Sequence, residues 1–362
     1  MSASAVHQFI PSFVARDAIG GHALQVQSVL RGMGLSSDVY VANASSEHAA
    51  ISRPYDSYRP RPGDWMLYQA STGHRMADWL LEQTPPLLVN YHNVTPPALL
   101  ETWEPGLADE VAEGRRQIGK LAVAARHAIA VSRYNAAELD ELGYRSTSVV
   151  PLILDLDAQA AEPDRVTLDW LARGKERGGV DLVFVGRIVP NKAQHELVKV
   201  LAAYRRAYDP RARLHLVGGA ASPNYLRALR RFVGALDLWD AVDLAGSVSD
   251  AERAAYYAGA DVLVCLSDHE GFCVPILEAM HAGVPVVAYG STAIPETVAG
   301  AGVVLPAKTP ALVAAAVHRV VSDSDLRGRL VDAGRARAEE FSPAHTRPRF
   351  AAAVQAALGE SG

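Results

Sequence analysis

Residues 261–287 read DVLVCLSDHEGFCVPILEAMHAGVPVV, in which two apolar runs enclose a polar loop and a short helical segment. The first run, residues 261–267, predicts a buried strand, and residues 268–274 predict a loop. Pro275 suits the first position of a helix because its missing N–H has no partner there, and Gly283 suits the helix end. Glu270 therefore follows a strand and Glu278 lies on a helix, at the edge where open α/β sheets bind ligands.

The composition describes a chain of 362 residues, 49% of them hydrophobic, which is enough for more than one packed domain. The net charge of −5 and the scattered basic residues argue against a nucleic-acid partner. The two cysteines, Cys265 and Cys273, form no disulfide framework and match no metal-ligand spacing. A reducing cytoplasm is therefore the expected location.

The amino-terminal residues MSASAVHQFIPSF lack a basic region followed by a long apolar region, so no secretory signal is expected. No apolar run reaches the roughly 18 residues that a membrane-spanning helix needs. These features predict a cytoplasmic protein. They leave open its oligomeric state and any contact with the inner face of a membrane.

Strand-like apolar runs alternate with helical patterns along the chain, which predicts parallel sheets built from βαβ units. The pattern lapses over residues 155–179, which are rich in charge and glycine and are interpreted as a linker. We therefore predict an α/β protein with two doubly wound, Rossmann-like domains, at residues 1–165 and 166–341. Residues 342–362 are predicted to form a terminal helix that packs back across the domain junction.

The sequence FVGRIVPNKAQHEL at residues 184–197 predicts a strand that ends at Gly186 and a helix that begins near Asn191. Gly186 lets the backbone approach a ligand, while Arg187 and Lys192 bring two cations to the end of the strand. A diphosphate carries about two negative charges, which these cations would offset without a metal ion. The same residues also fit an ordinary turn with exposed basic side chains.

Small residues mark two further strand ends, at residues 218–219 in LHLVGGAAS and at residues 246–248 in DLAGSVSD. Such ends let a flat base lie against the backbone, although they also fit tight turns. An Asp-x-Asp pair, Asp155 and Asp157, falls in the predicted linker and is interpreted as solvated charge.

Taken in order, these pieces resemble the donor-binding domain of retaining glycosyltransferases with the GT-B fold, and more narrowly glycosyltransferase family four. The order is G-R-x4-K, then V-G-G, then a G-S-V turn, and then E-G-F-x2-P-x2-E-A-M-x2-G-x-P-V-V, which contains Glu270 and Glu278 as an E-x7-E pair. The likeness covers residues 180–298 well and continues more weakly at residues 20–21, 91–93 and 130–132. It implies an acceptor-binding domain and a donor-binding domain that face a central cleft.

The resemblance implies a role for each matching residue. Glu278 would hydrogen-bond the ribose hydroxyls, as acidic residues do in dinucleotide sites. Glu270 would meet the hydroxyls of the transferred sugar, and Arg187 and Lys192 would hold the diphosphate and stabilise it as a leaving group. His92 would lie near the anomeric carbon and the 6-hydroxyl. The other residues assigned to donor binding are Gly20, Gly21, Ser132, Gly186, Gly218, Ser247, Val248, Gly271, Phe272, Cys273 and Val274.

The activity implied is retaining transfer of a hexose from a nucleotide diphosphate sugar, GDP-mannose or UDP-hexose, to a hydroxyl of a saccharide, lipid-linked or small-molecule acceptor. The mechanism implied is front-face displacement, with no metal ion and no cofactor besides the donor. Three alternatives stay open: a nucleotide-sugar epimerase, a non-catalytic nucleotide-sugar binder, and a glycosidase that uses Glu270 and Glu278. A nicotinamide enzyme is disfavoured because no G-x-G-x-x-G follows a predicted strand.

Overall fold

The computed structural model describes residues 3–14, 18–176 and 178–359. The chain divides into two compact units. Unit 1 consists of Met1–Pro97, Gly106–Leu154 and Phe341–Gly362, and unit 2 consists of Ala98–Pro105 and Asp155–Glu340. Residues 155–165, which the sequence assigned to the first domain, are thus grouped with unit 2, and the short segment Ala98–Pro105 joins them there.

Strands and helices alternate through unit 1, as the hydrophobic pattern predicts. The pattern predicts strands at residues 5–11, 37–42, 64–69, 86–91, 127–131 and 147–152 and helices at residues 22–31, 75–83, 107–125 and 135–142. Each is present with ends that shift by at most four residues, and the short α2 and β3 are additional. The elements are β1 (Ala5–Phe13), α1 (Ala18–Gly32), β2 (Val39–Ala44), α2 (Ser46–Ala49), β3 (Arg53–Pro54), β4 (Asp64–Ala70), α3 (Arg75–Leu81), β5 (Leu87–Tyr91), α4 (Pro105–Ala124), β6 (Ala125–Ala130), α5 (Arg133–Glu141) and β7 (Thr147–Val149).

The sheet of unit 1 has seven strands in the order β3-β2-β1-β4-β5-β6-β7. All of its pairings are parallel, and β1 lies between β2 and β4. The strand order therefore reverses beside β1, which is the topological switch point of a doubly wound sheet. Buried side chains of β1, β4 and β5, such as Val6, Leu67 and Leu88, form the core under this point.

Unit 2 repeats the alternation, and the chain then ends in a further helix. The elements are α6 (Leu156–Gln159), α7 (Arg165–Glu176), β8 (Asp181–Val185), α8 (Gln194–Ala207), β9 (Arg213–Val217), α9 (Pro223–Ala235), β10 (Val242–Gly246), α10 (Asp250–Gly259), β11 (Val262–Cys265), α11 (Val274–His281), β12 (Val286–Tyr289), α12 (Ile294–Val298), β13 (Val303–Leu305), α13 (Pro310–Ser322), α14 (Ser324–Glu339) and α15 (Pro343–Gly359). Within the described ranges, no helix is long and apolar enough to cross a membrane.

The sheet of unit 2 has six parallel strands in the order β10-β9-β8-β11-β12-β13. β8 pairs with β9 on one side and with β11 on the other, so the switch point lies between β8 and β11. The core contains Leu182, Leu214 and Val262 from the sheet, packed against Leu197 and Leu201 of α8. Each such side chain contributes about 1.5–3 kcal/mol on burial. The predicted pair of doubly wound parallel sheets is confirmed.

The predicted linker at residues 155–179 is wrong for most of its length, because it contains α6 and α7. Leu171 of α7 is buried at 2% exposure and packs beside Gly259 of α10. A Cβ at Gly174 would lie 1.3 Å from an Arg213 guanidinium nitrogen, so a larger residue here would displace the Arg213 side chain. The charged residues that favoured a linker therefore lie largely on α7, an amphipathic helix that packs through one narrow apolar face.

The terminal helix α15 forms as predicted and belongs to unit 1. Phe350 and Val354 are fully buried in the same core as Val26 and Leu30 of α1 and Ile129 of β6. The chain therefore returns to its first unit after completing the second. Pro348 lies inside this helix in its second turn.

Candidate active site

The loop between β11 and α11 carries Glu270, as the sequence predicts. β11 ends at Cys265 and α11 begins at Val274, one residue before the expected start at Pro275. Cys273 precedes the helix in the left-handed conformation, with φ of 72°, so the chain turns sharply there. Residues other than glycine adopt this left-handed backbone conformation only where the surrounding structure enforces it.

Glu270 forms a buried ion pair with Lys192. Lys192 Nζ lies 2.6 Å from Glu270 Oε1, and the two side chains are 18% and 8% exposed. Lys192 ends a one-turn 3-10 helix, Pro190–Lys192, that follows β8, whereas Glu270 follows β11. Because β8 and β11 are neighbours at the switch point, the fold brings together two residues that are distant in the sequence.

The charge of Lys192 depends on this pairing. Burial disfavours the charged ammonium, but the Glu270 carboxylate and the nearby thiols outweigh burial and raise the pKa of Lys192 above its ordinary value. Lys192 therefore stays protonated over the physiological range. A buried cation next to a buried carboxylate can hold an anionic group and a sugar hydroxyl side by side.

A second loop, between β12 and α12, holds the backbone of Glu270. Thr292 Oγ1 accepts the N–H of Glu270 at 2.9 Å and donates to the carbonyl oxygen of the same residue at 2.8 Å. Ser291 donates to the Ser267 carbonyl at 2.6 Å, and Thr297 donates to the Phe272 carbonyl at 2.5 Å. These bonds fix both ends of the loop, so the Glu270 carboxylate is preorganised.

The predicted phosphate loop follows β8, beside the Glu270 loop. Gly186 donates its N–H to Val217 O at 2.9 Å, and a Cβ on Gly218 would lie 2.1 Å from Gly186 O, so only glycine fits position 218. The Arg187 side chain is exposed. Gln194 donates to Arg187 O at 2.8 Å, and its buried Oε1 has no hydrogen-bond partner in the described part of the chain.

Glu278 lies on α11 and borders a cavity of about 280 Å³ in unit 2. Tyr257 donates its hydroxyl to Glu278 Oε2 at 2.7 Å, and an Arg253 guanidinium nitrogen lies 3.7 Å from Glu278 Oε1. Burial first, and the Glu278 carboxylate second, raise the pKa of Tyr257 well above its ordinary value, so Tyr257 remains a donor. Asp250 and Pro163 also line the cavity. The carboxylate is oriented toward a concave surface large enough to take part of a ligand.

The remaining predicted residues of the second domain occupy adjacent strand ends. Gly218 donates its N–H to Gly246 O at 2.9 Å, which ties the end of β9 to that of β10. Ser247, just past β10, is exposed, and its hydroxyl would meet a Cβ placed on Gly219 at 2.5 Å. Val248 is half-buried. The fold therefore places the ends of β10, β9, β8 and β11 along one edge of the sheet.

Four of the predicted residues, Gly20, Gly21, His92 and Ser132, lie in unit 1. Gly20 and Gly21 lie in the first turn of α1, which begins four residues earlier than the helix expected at residue 22. His92 follows β5 and shares a 2.7 Å hydrogen bond between its Nε2 and Gln69 Oε1. Burial lowers the pKa of His92 to about 3, so the ring is neutral. Ser132 is buried and caps α5, accepting the N–H of Asn135 at 3.2 Å.

Three residues that support the candidate site were not identified from the sequence. Thr292 holds the Glu270 backbone, Tyr257 orients Glu278, and Asn191 donates its side-chain amide to the His269 carbonyl oxygen at 3.4 Å. Each is a polar residue on an element that packs against the E-x7-E segment from elsewhere in the chain. A sequence signal existed only for Asn191, which lies beside Lys192 in the phosphate loop.

A comparison with protein families matches residues 172–337 to the model described as Glycosyl transferases group 1. The match contains β8 to β13 and the four residues Arg187, Lys192, Glu270 and Glu278. Residues 172–337 are therefore similar to this family, and the matched segment is called the group 1 domain below. The predicted residues His92, Gly20, Gly21 and Ser132 lie outside this group 1 domain.

Curated relatives extend the similarity beyond the group 1 domain. A D-inositol 3-phosphate glycosyltransferase of Kineococcus radiotolerans is 35% identical over 216 residues, which cover 53% of this chain and 48% of the relative. A GDP-mannose-dependent alpha-(1-6)-phosphatidylinositol monomannoside mannosyltransferase of Mycobacterium tuberculosis is 37% identical over 189 residues, 48% of each chain. This chain thus spans about half the length of the curated relatives it matches.

Solved structures share the fold over nearly the whole chain. The sucrose-phosphate synthase of Thermosynechococcus elongatus has a TM-score of 0.74 at 19% identity, covering 99% of this chain and 100% of that one. HepE of Anabaena, solved in complex with UDP-glucose, has a TM-score of 0.73 at 17% identity, covering 97% and 99% of the two chains. At these identities the likeness supports the fold of the group 1 domain and of unit 1, and not a substrate.

Proposed function

We propose that this protein is a retaining hexosyltransferase that uses a nucleotide diphosphate sugar. The observation that carries the proposal is the buried Lys192–Glu270 ion pair at the switch point between β8 and β11, inside the group 1 domain. Open parallel sheets bind their ligands at this point. An ordinary βα turn with exposed basic residues would not bury a lysine against a carboxylate.

The proposed chemistry assigns a separate task to each group. Arg187 and Lys192 stabilise the diphosphate as it leaves, Glu270 orients the sugar through its hydroxyls, and Glu278 accepts the ribose hydroxyls. The acceptor oxygen bonds to the anomeric carbon on the face from which the phosphate oxygen departs, and its proton passes to that phosphate oxygen. Catalysis is then leaving-group stabilisation and positioning, and it needs no metal ion.

Substitution at the ion pair tests the activity. Glu270→Gln keeps the volume of the side chain but removes its charge, and Lys192→Ala removes the cation. We expect each to lower turnover by about 100-fold or more, as loss of one preorganised charge does in other sites. Circular dichroism and thermal unfolding establish that each variant is folded, because an unpaired buried carboxylate costs stability.

The chain offers a matched control for this experiment. Arg205 and Asp240 form an ion pair of similar length, 3.0 Å, between the last turn of α8 and the segment before β10, at the edge of the sheet opposite the carboxyl ends of the strands. Arg205→Ala and Asp240→Asn should leave turnover within about twofold, since exposed pairs contribute little. Full activity in Glu270→Gln or Lys192→Ala would refute the assignment.

The donor is proposed to be GDP-mannose or a UDP-hexose. GDP-mannose is the first candidate, because the mycobacterial relative is named as GDP-mannose-dependent. Thermal unfolding of the full chain in the presence of GDP, UDP and their hexose conjugates measures the preference, since a ligand that binds only the folded state raises the midpoint. Stabilisation by one base and not by the other identifies the donor class.

The alternative activities give different products when the donor is incubated alone. An epimerase converts the donor sugar, a non-catalytic binder leaves it unchanged with or without acceptor, and a transferase consumes it when a hydroxyl acceptor is added. A glycosidase releases sugar from a simple glycoside without any nucleotide. The ion pair of Glu270 and the hydrogen bond of Glu278 to Tyr257 give these carboxylates separate partners, which supports transfer over hydrolysis.

A further inference from the structure

The two cysteines of the chain lie together beside Glu270. Cys265 ends β11 and Cys273 precedes α11, and both are buried. Their sulfur atoms are 3.8 Å apart. The two sulfurs and a carboxylate oxygen of Glu270 all lie within 4.8 Å of one another. Eight positions in the sequence separate the cysteines, which is not a recognised ligand spacing, so only the folded loop shows the cluster.

The sulfur separation matches a tetrahedral metal site without movement. A zinc ion binds cysteine sulfur at about 2.3 Å, so two sulfurs at a tetrahedral angle on one ion lie about 3.8 Å apart. A disulfide bond requires a sulfur separation of about 2.05 Å, and the two sulfurs would have to approach each other by a large part of their present distance. The observed spacing therefore accommodates a shared ion without movement of the sulfurs, as it does the S–H···S hydrogen bond of the reduced pair, whereas a disulfide requires movement.

The charges around the cluster also suit a divalent ion. If both thiols release their protons to the buffer, their two negative charges balance a divalent cation. The charges of Glu270 and Lys192 balance each other in their ion pair. No net charge is then buried.

We propose that Cys265, Cys273 and Glu270 bind a thiophilic divalent ion such as Zn²⁺, and that the bound ion inhibits transfer by occupying the carboxylate that orients the sugar. Sulfur and carboxylate ligands select zinc over magnesium or calcium, which prefer oxygen alone. Three protein ligands leave one position on the ion for water. The inhibitory half of the proposal rests on the proposed function, whereas the binding half does not.

Binding is measured on the reduced full chain with Co²⁺, which replaces Zn²⁺ and reports sulfur ligands by charge-transfer absorption. We expect one ion per chain, displaced by Zn²⁺, with the charge-transfer band weakened in Cys265→Ser and in Cys273→Ser. Because the chain has only two cysteines, any sulfur–metal band comes from this pair. Ser267→Ala is the matched control: Ser267 lies 3.5 Å from the Cys265 sulfur but is not a ligand, so the band should persist.

Several results would overturn metal binding. One is a cobalt spectrum without sulfur charge transfer, and another is a band that is unchanged in Cys265→Ser. A third is rapid loss of both free thiols as an intramolecular disulfide under mild peroxide, combined with absence of metal binding in the reduced chain. That last outcome would identify the pair as a redox couple instead. None of these measurements needs transferase activity, so their failure is separate from failure of the proposed function.

Inhibition is measured next, with Zn²⁺ and a chelator during transfer. We expect micromolar Zn²⁺ to inhibit the unmodified chain reversibly, and Cys265→Ser to keep its metal-free turnover while losing at least tenfold in sensitivity to Zn²⁺. Equal sensitivity of the two proteins would refute the inhibitory role. If no turnover is found under any condition, the proposed function is refuted. The cobalt experiment still tests metal binding, because it does not depend on turnover.

Discussion

Residues elsewhere in the chain orient the side chain of Glu278. Glu278 Oε2 lies 2.7 Å from the Tyr257 hydroxyl, and Glu278 Oε1 lies 3.7 Å from an Arg253 guanidinium nitrogen. Both partners lie on α10. The carboxylate is therefore held at the cavity wall in one orientation. The E-x7-E pattern locates Glu278 on its helix, but it contains no information about these partners.

Removal of the Tyr257 hydroxyl should weaken donor binding. Tyr257→Phe takes away a hydrogen bond to a charged group, worth roughly 1.5 kcal/mol, so we expect the KM for the donor to rise about tenfold with little change in kcat. Steady-state kinetics with varied donor measures both constants. Tyr256→Phe is the control, because the neighbouring Tyr256 donates to Asp243 at 2.8 Å and not to Glu278. Equal effects of the two substitutions would contradict the role of Tyr257.

Between elements, a buried polar cluster joins three strands of unit 2. His215 of β9 lies between two carboxylates, with its Nε2 3.2 Å from Asp181 Oδ1 on β8 and its Nδ1 3.3 Å from Asp243 Oδ2 on β10. Arg213 of β9 also contacts Asp181, at 2.6 Å. Burial opposes protonation of His215, but the two carboxylates outweigh burial and raise its pKa above the ordinary value. The strands are thus joined by charge in addition to backbone hydrogen bonds.

This cluster predicts a pH dependence of stability. A histidine whose pKa is raised by folding stabilises the protein fully below its unfolded value of about 6.5, and loses that contribution as the pH rises through its folded value. We expect the free energy of unfolding of unit 2 to fall between neutral and alkaline pH, measured by urea unfolding. His215→Gln removes the titrating group, so its stability should vary less over the same range. An equal slope in both proteins would contradict the prediction.

For the whole molecule, the last helix is part of the first unit. α15 follows the complete sheet of unit 2, yet Phe350 and Val354 lie in the core formed by α1, β1 and β4 of unit 1. Unit 1 therefore cannot complete its core until the chain has been synthesised to its final helix. Such a contact between the ends of the chain has high contact order, which slows folding of this unit.

Truncation of Phe350 should destabilise unit 1 alone. Phe350→Ala leaves a cavity in a fully buried position and should cost about 3–5 kcal/mol. Hydrogen exchange followed by mass spectrometry should show lower protection in β1, α1 and β4, and unchanged protection in β8 to β13. Arg349→Ala, on the exposed face of the same helix, is the control and should change neither unit. Equal loss of protection in both units would contradict this assignment.

Local patterns were sufficient to predict most of the strands and helices, including those around Glu270 and Glu278. The strand, loop and helix around Glu270 follow from apolar runs and from Pro275 and Gly283, because these features act over a few residues. The linker predicted at residues 155–179 was wrong because α7, which lies there, has a charged surface and only a narrow apolar face. Its packing depends on Arg213 and on α10, which are distant in the sequence.

Only the tertiary structure decided which of these positions meet. Strand order places β8 beside β11, and this long-range pairing brings Lys192 to Glu270 and positions the loop that sets the two sulfurs 3.8 Å apart. Strand order depends on how helices cover both faces of the sheet, which no local spacing encodes. The elements that carry Lys192, Glu270 and Glu278 were therefore predictable from the chain, whereas the partners and separations of these residues required the fold.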